Sequence, residues 1–145
     1  MPTALVAILR DEVDDRLLEL AEQFAAGGDT EIVVCKFVDE SDYQDAVKEA
    51  SREGHQVPIT DEVREQAEAE ARDAAAAVFS PETDYTVRGA VGELPEEVLE
   101  VAEELSSDHL FLNAKRRSPA GKVLFRDVSQ SIMIQFDGAV TIHFE

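Results

Sequence analysis

Five of the thirteen basic side chains in this chain, Lys115, Arg116, Arg117, Lys122 and Arg126, fall in one short stretch. Guanidinium and ammonium groups packed this densely suit the holding of an anion, a phosphate or a carboxylate, through charge-assisted hydrogen bonds. Ser118, Pro119, Ala120 and Gly121 interrupt the run with turn chemistry: Pro presets one dihedral and Gly permits a positive one. A helix follows, and the free N–H groups at a helix start also favour negative charge. The competing reading is that these cations answer acidic helices packed beside them, since charge runs usually form solvated faces.

The rest of the charge pattern sharpens the contrast. Residues 113–145 carry five basic and three acidic side chains, whereas residues 1–112 carry eight basic and twenty-nine acidic, for a total of −19. Self-repulsion of that size destabilises a compact chain at low ionic strength. At molar salt the Debye length falls to about 3 Å and the repulsion is screened. With four Lys against nine Arg under a Glu/Asp-rich surface, the composition resembles that of salt-in halophile proteins. The alternative is an acidic interaction surface on a mesophilic protein; acid spread along the chain, not gathered in a tail, favours the halophile. Binding to DNA or RNA is disfavoured, because an acidic body repels phosphate backbones.

Other chemistry is sparse. Cys35 is the single cysteine, which excludes an internal disulfide and a cysteine metal cluster, and it reads as a small buried hydrophobe. His55, His109 and His143 lie far apart, and no Ser–His–Asp set, metal-ligand cluster or paired base and nucleophile stands at a recognisable spacing. No catalytic residue and no metal ligand is assigned. An enzyme, for instance a nucleotide hydrolase, ranks last. His55 reads as a solvated loop residue. His143 reads as pointing to solvent or to a partner chain, with no acid placed beside it. No apolar run approaches the ~18 residues of a membrane helix, and no charged region precedes the N-terminal apolar run as in a signal peptide. A cytoplasmic protein without membrane contact is expected.

These side chains need a frame. Residues 4–9 form a continuous apolar run, as in a parallel strand buried on both faces. Val13, Leu17, Leu20, Ala21 and Phe24 then recur at helical spacing, with Asp11 or Asp14 as cap and Gly27-Gly28 as terminator. Residues 31–38 supply a second strand. In residues 41–58, Tyr43, Ala46, Val47 and Ala50 suit a short helix before Gly54 and Pro58; a lid or an oligomer contact stands against plain loop mobility here. Thr60 caps a long Ala/Glu-rich helix to about Phe79. Its face of Val63, Ala67, Ala71, Ala74 and Val78 argues against disorder, and its four consecutive alanines allow close approach to a sheet. Residues 84–88 form a third strand and residues 89–92 a turn, without the spacing of a phosphate-binding glycine loop. Pro95 suits the first position of a helix whose buried face is Val98, Leu99, Ala102 and Leu105. Residues 109–112 are long enough for a strand and too short for a helix. From Gly121 onward Val128, Ile132 and Phe136 repeat at helical spacing; Gly138 breaks that helix, and residues 140–144 alternate as a last strand. Regular alternation of strand and helix implies a single domain over residues 1–145. It is a doubly wound, five-stranded, mostly parallel sheet with helices on both faces and right-handed crossovers.

The stretch VRGAVGELPEEVLEVAEELSSDHLFLNAKRR, residues 87–117, resembles the universal stress protein family. That family has a third strand ending in Gly, then a helix of the form x-P-x-x-x-I-L-x-x-A, then Asp and a four-residue apolar strand. Val87, Arg88, Gly89, Pro95, Val98, Leu99, Ala102 and Asp108 fit this pattern, and the resemblance extends over the whole chain. It implies an adenine nucleotide alpha hydrolase-like sheet of order 3-2-1-4-5, with its switch point between strands 1 and 4. Leu9, Arg10 and Asp11 then stand opposite Asn113 and the basic stretch.

Members of the family that bind ATP carry Gly, two residues, Gly, nine residues, then Gly-Ser or Gly-Thr after strand 4. Laid on this chain, that motif falls on Asn113, Arg116 and Arg126-Asp127, and no Gly or Ser position is retained. The adenine-contacting Asp at the end of strand 1 corresponds to Leu9. Glycines let backbone N–H groups approach phosphates; arginines fill that space, and Asp127 sets a negative charge where a hydroxyl would meet phosphate. The resemblance thus implies the fold, disfavours ATP and leaves no cofactor assigned. Two readings of function follow. One is a regulatory, stress-response protein working through a homodimer and an unidentified partner protein. Its seam is the last strand, Val140, Thr141, Ile142, His143 and Phe144, by family resemblance, and an unpaired edge needs covering. The other is a nucleotide or small-anion binder. There Lys115, Arg116, Arg117, Lys122 and Arg126 act as charge clamps, with Ser118 to Gly121 as an anion turn.

Overall fold

The computed structural model describes residues 2–54, 60–114 and 128–145, together with the backbone of 116–117 and 122–123. Strand β1 (Thr3–Ile8) is buried throughout, as a run without polar alternation must be when both its faces are covered. Helix α1 (Asp15–Ala25) follows, then β2 (Glu31–Asp39), α2 (Glu40–Arg52), α3 (Thr60–Val78), β3 (Tyr85–Gly92), α4 (Glu96–Glu104) and β4 (His109–Ala114). A two-stranded antiparallel pair, β5 (Arg116–Arg117) and β6 (Lys122–Val123), precedes α5 (Val128–Gln135) and β7 (Ala139–Phe144). The main sheet is wholly parallel, in the order β3-β2-β1-β4-β7. Counting its strands alone, this is the 3-2-1-4-5 order.

The core has two layers, one on each side of the sheet. Ala4, Val6, Ile8, Ile32, Val34 and Phe111 meet α1 and the alanine face of α3. Leu5, Ala7, Val33, Cys35, Phe37, Ala90, Leu110 and Leu112 meet Val98, Val101 and Ala102 of α4 and Ile132 of α5. Alternate residues of one strand therefore serve opposite layers, which follows from the twofold side-chain period. Burial pushes the Cys35 thiol up to about 12, so it packs as an inert hydrophobe.

Residues 89–92 are not a turn. They continue β3 in register with β2, Lys36 against Gly89 through Asp39 against Gly92. Their glycines answer crowding, not chain reversal. A Cβ on Gly89 would collide with the Arg64 carbonyl oxygen and lie 2.6 Å from the Glu68 nitrogen, because α3 crosses β3 backbone against backbone there. A Cβ on Gly92 would lie 2.6 Å from Glu97 Oε2.

The connection from β2 to β3 holds the short helix expected there, α2, followed by α3, and α2 starts where β2 stops because the Asp39 carboxylate accepts from the Ser41 N–H at 3.2 Å. Two smaller differences remain. Pro95 sits one position before the first turn of α4. Phe24 is 49% exposed, not buried, and lies over the start of β4, with ring centroids 4.4 Å from His109 and 5.7 Å from Phe111. His55 lies outside the described residues, as does the expected start of the last helix at Gly121. Among the described residues no helix is long and apolar enough to cross a membrane.

Candidate functional site

Strand order reverses between β1 and β4, and open α/β sheets place ligands beyond the carboxyl ends of their strands at such a point. Leu9 and Asn113 do meet there. With Arg10, Asp14 and neighbouring apolar side chains they line a cavity of only ≈ 20 Å³. That is room for about one water.

The polar centre of this crevice is Asp14. As N-cap of α1 it holds an extended backbone conformation, and its Oδ1 accepts from the Leu17 N–H at 3.3 Å. Its Oδ2 accepts from Asn113 Nδ2 at 2.5 Å and from His143 Nδ1 at 2.5 Å. Three elements distant in sequence, the start of α1, the end of β4 and the end of β7, are thereby tied to one carboxylate. Burial works against ionisation of Asp14. The hydrogen bonds from His143, Asn113 and Leu17, with the attraction of His143, outweigh it and hold the carboxyl below its ordinary value. An ionised carboxylate has no proton to donate, so His143 Nδ1 carries the hydrogen. The Asp14 side chain is 8% exposed and that of His143 is 30% exposed.

His143 was expected to face solvent or a partner, with no acid beside it; it is paired instead. Parallel pairing sets it level with Asn113, and paired residues share a face of the sheet. Sequence spacing showed Asp14 only as a helix cap. Nothing in the primary structure announces that residues 14, 113 and 143 converge, because strand order decides it.

A cation on β2 steadies the same loop. Lys36 Nζ donates to the Arg10 carbonyl at 2.6 Å and to Asp11 Oδ1 at 3.3 Å, with its side chain only 6% exposed. A buried ammonium must be paired in this way. His109 belongs to a neighbouring aromatic cluster: it stacks on Phe111 with centroids 4.6 Å apart, and its Nε2 lies 2.7 Å from Thr141 Oγ1. Burial lowers its pKa.

The remaining expected residues divide. Lys115, Ser118, Gly121, Arg126 and Asp127 lie outside the described residues. Arg116, Arg117 and Lys122 belong to the β5–β6 pair, described by its backbone alone. Along β7, Val140 and Ile142 pack toward the α4–α5 layer, while Thr141 and His143 turn to the α1 side, where they meet His109 and Asp14. A groove of ≈ 640 Å³ lies at the opposite, amino-terminal edge of the sheet, lined by residues such as Glu22, Glu31, Glu82 and Asp84. Its size is no mark of a site: it is open, and Glu22 is already engaged by the Ser80 N–H and Thr83 Oγ1. No group of three or more acidic, His or Cys side chains able to hold a metal occurs among the described residues.

A five-stranded parallel sheet of this order, with helices on both faces, is the adenine nucleotide alpha hydrolase-like fold. The profile of the universal stress protein family matches residues 1–142. The chain belongs to that family. A search of curated proteins finds no match. Among solved structures, a universal stress protein from Archaeoglobus fulgidus is 17% identical with a TM-score of 0.60, covering 98% of this chain and 97% of that one. A universal stress protein in complex with cAMP is 19% identical with a TM-score of 0.59, covering 99% and 98%. A protein whose biochemical function was assigned from its structure in a structural-genomics test case is 15% identical with a TM-score of 0.63, covering 97% and 95%. At these identities the likeness is one of fold.

Proposed function

We propose that this chain is a regulatory member of the universal stress protein family that acts through a homodimer and a partner protein and does not seat ATP in the family's usual way. The observation that carries the reading is the closed crevice: ≈ 20 Å³ remain between Leu9 and Asn113, and Asp14 already accepts three hydrogen bonds from its own chain. The altered motif points the same way, since Asn113, Arg116, Arg126 and Asp127 stand where glycines and a hydroxyl would be needed. The outer edge of β7 is the dimer seam in this reading. Among the described residues that strand has only β4 as a neighbour in the sheet, and such an edge invites pairing with a second copy. The net charge of −19 supports a cytoplasm of high salt, as in haloarchaea.

Sedimentation equilibrium and calorimetry in molar potassium chloride test this together. A dimer with no heat from millimolar ATP, AMP or phosphate is the expected result. A monomer, or ATP binding at micromolar concentration, refutes it. A second reading, a nucleotide or small-anion binder using the basic stretch, is favoured by the neighbour in complex with cAMP. Under it, heat with phosphate or AMP would vanish on replacing Arg116 and Arg117 by Ala.

A further inference from the structure

We infer that the Asp14–His143 contact is an internal latch, in which the chain's own imidazole occupies an acceptor site on the carboxylate that lines the switch-point crevice and denies it to a ligand. This rests on the closed-crevice reading above and names the group that engages its carboxylate. A helix cap needs one acceptor for one backbone donor, and Asp14 Oδ1 fills that role through Leu17. The second oxygen is surplus to capping. It takes both side-chain donors, each at 2.5 Å, on a residue that lines the cavity beside Leu9, Arg10 and Asn113.

The two donors differ in what holds them. Asn113 sits on β4, flanked by β1 and β7 and anchored further where Ser129 Oγ donates to its carbonyl at 3.0 Å. His143 sits on the edge strand β7, with 30% of its side chain exposed. It is therefore the donor that can leave. Its departure would free one acceptor site on Oδ2, which Asn113 would still share, beside a crevice lined by both apolar and polar side chains; that site is a receptor for a ligand that brings an N–H donor of its own. His143 thus acts as an autoinhibitory side chain, not a catalytic one.

The test compares binding of cAMP and AMP, by calorimetry in molar potassium chloride, to the natural chain and to variants. His143→Thr suits a strand but is too short to reach Asp14; His143→Val stands in should the threonine variant not fold. His143→Gln retains an N–H donor of useful length. The latch predicts affinity at least about tenfold tighter for the threonine variant, the size expected from removing one charge-assisted competitor. The glutamine variant should stay near the natural chain, and the double variant Asp14→Ser/His143→Thr, which keeps the cap but loses the receptor, should forfeit the gain. Equal affinities in the natural chain and the threonine variant, or no binding to either, overturn the latch alone. A gain that persists in the double variant also overturns it. Tight binding to the natural chain overturns the closed-crevice reading as well. Sedimentation of each variant separates an opened crevice from lost pairing at β7.

Discussion

Gly89 decides between two readings of residues 89–92 by the sign of one stability change. As a residue of a solvated turn with an ordinary negative φ, it would tolerate alanine. The smaller unfolded-state entropy would then stabilise the protein by about 0.4–1 kcal/mol. In the structure it pairs with Lys36 inside the sheet, and a Cβ there would meet the Arg64 carbonyl oxygen, the Glu68 nitrogen at 2.6 Å and the Ala67 Cβ at 3.0 Å. Two of these three neighbours are backbone atoms of α3, which cannot rotate away as a side chain would. The helix must shift bodily, loosening the contacts of Ala67 and Ala71 with the sheet. Overpacking of this kind costs about 1–3 kcal/mol, and the rigid neighbours place Gly89→Ala near the upper end. For a chain of this length about 3 kcal/mol corresponds to a fall in Tm of roughly 6–12 °C. Urea denaturation in molar potassium chloride would read this as a lower midpoint at unchanged slope. A midpoint equal to or above that of the natural chain would refute the backbone-to-backbone packing of α3 on β3.

Three further outcomes follow from the same geometry. The Asp14 carboxyl titrates below its unfolded value, so its contribution is complete above the ordinary carboxylate range and is lost as pH falls through the depressed value. Denaturation midpoints from pH 7 to pH 3 should therefore fall more steeply for the natural chain than for Asp14→Ser. His109 also has a folded value below its unfolded one, so its neutral ring favours the fold above the usual imidazole range, and that contribution is lost on acidification; midpoints of His109→Gln between pH 7.5 and 5.5 should change less than those of the natural chain. Finally, Cys35, with its thiol raised to about 12 and fully buried, should not react with a thiol reagent until urea unfolds the chain, and a reaction complete within minutes in native buffer would contradict its packing.

The parts of the fold that depend on local pattern were legible. The unbroken apolar run around Val6, the alanine face of α3 and the spacing of Val98 and Ala102 each dictate an element and its buried side. Sheet order came from resemblance, because no local signal tells β1 to pair with both β2 and β4. The misread turn shows where pattern fails: Gly89 and Gly92 carry the composition of a loop, but their cause is the approach of α3 and Glu97 from elsewhere in the chain. The candidate site failed to show for the same reason. Leu9 and Asn113 were placed together by the switch-point rule, whereas Asp14 and His143 are separated by 129 residues and joined only once β7 has docked beside β4.

Helix α2 buries none of its thirteen residues. Its Asp39 cap, its own backbone ladder, a hydrogen bond from Thr60 Oγ1 to the Tyr43 hydroxyl at 3.3 Å and a half-buried face of Tyr43, Val47 and Ala50 hold it, and a helix of that length is marginal in water without a fully packed face. Its amides should thus open through local fraying while those of β1 wait for global unfolding, giving hydrogen-exchange protection that differs by orders of magnitude within one domain. The span between β2 and α3 is accordingly where an inserted sequence or a proteolytic nick would leave the two-layered core standing.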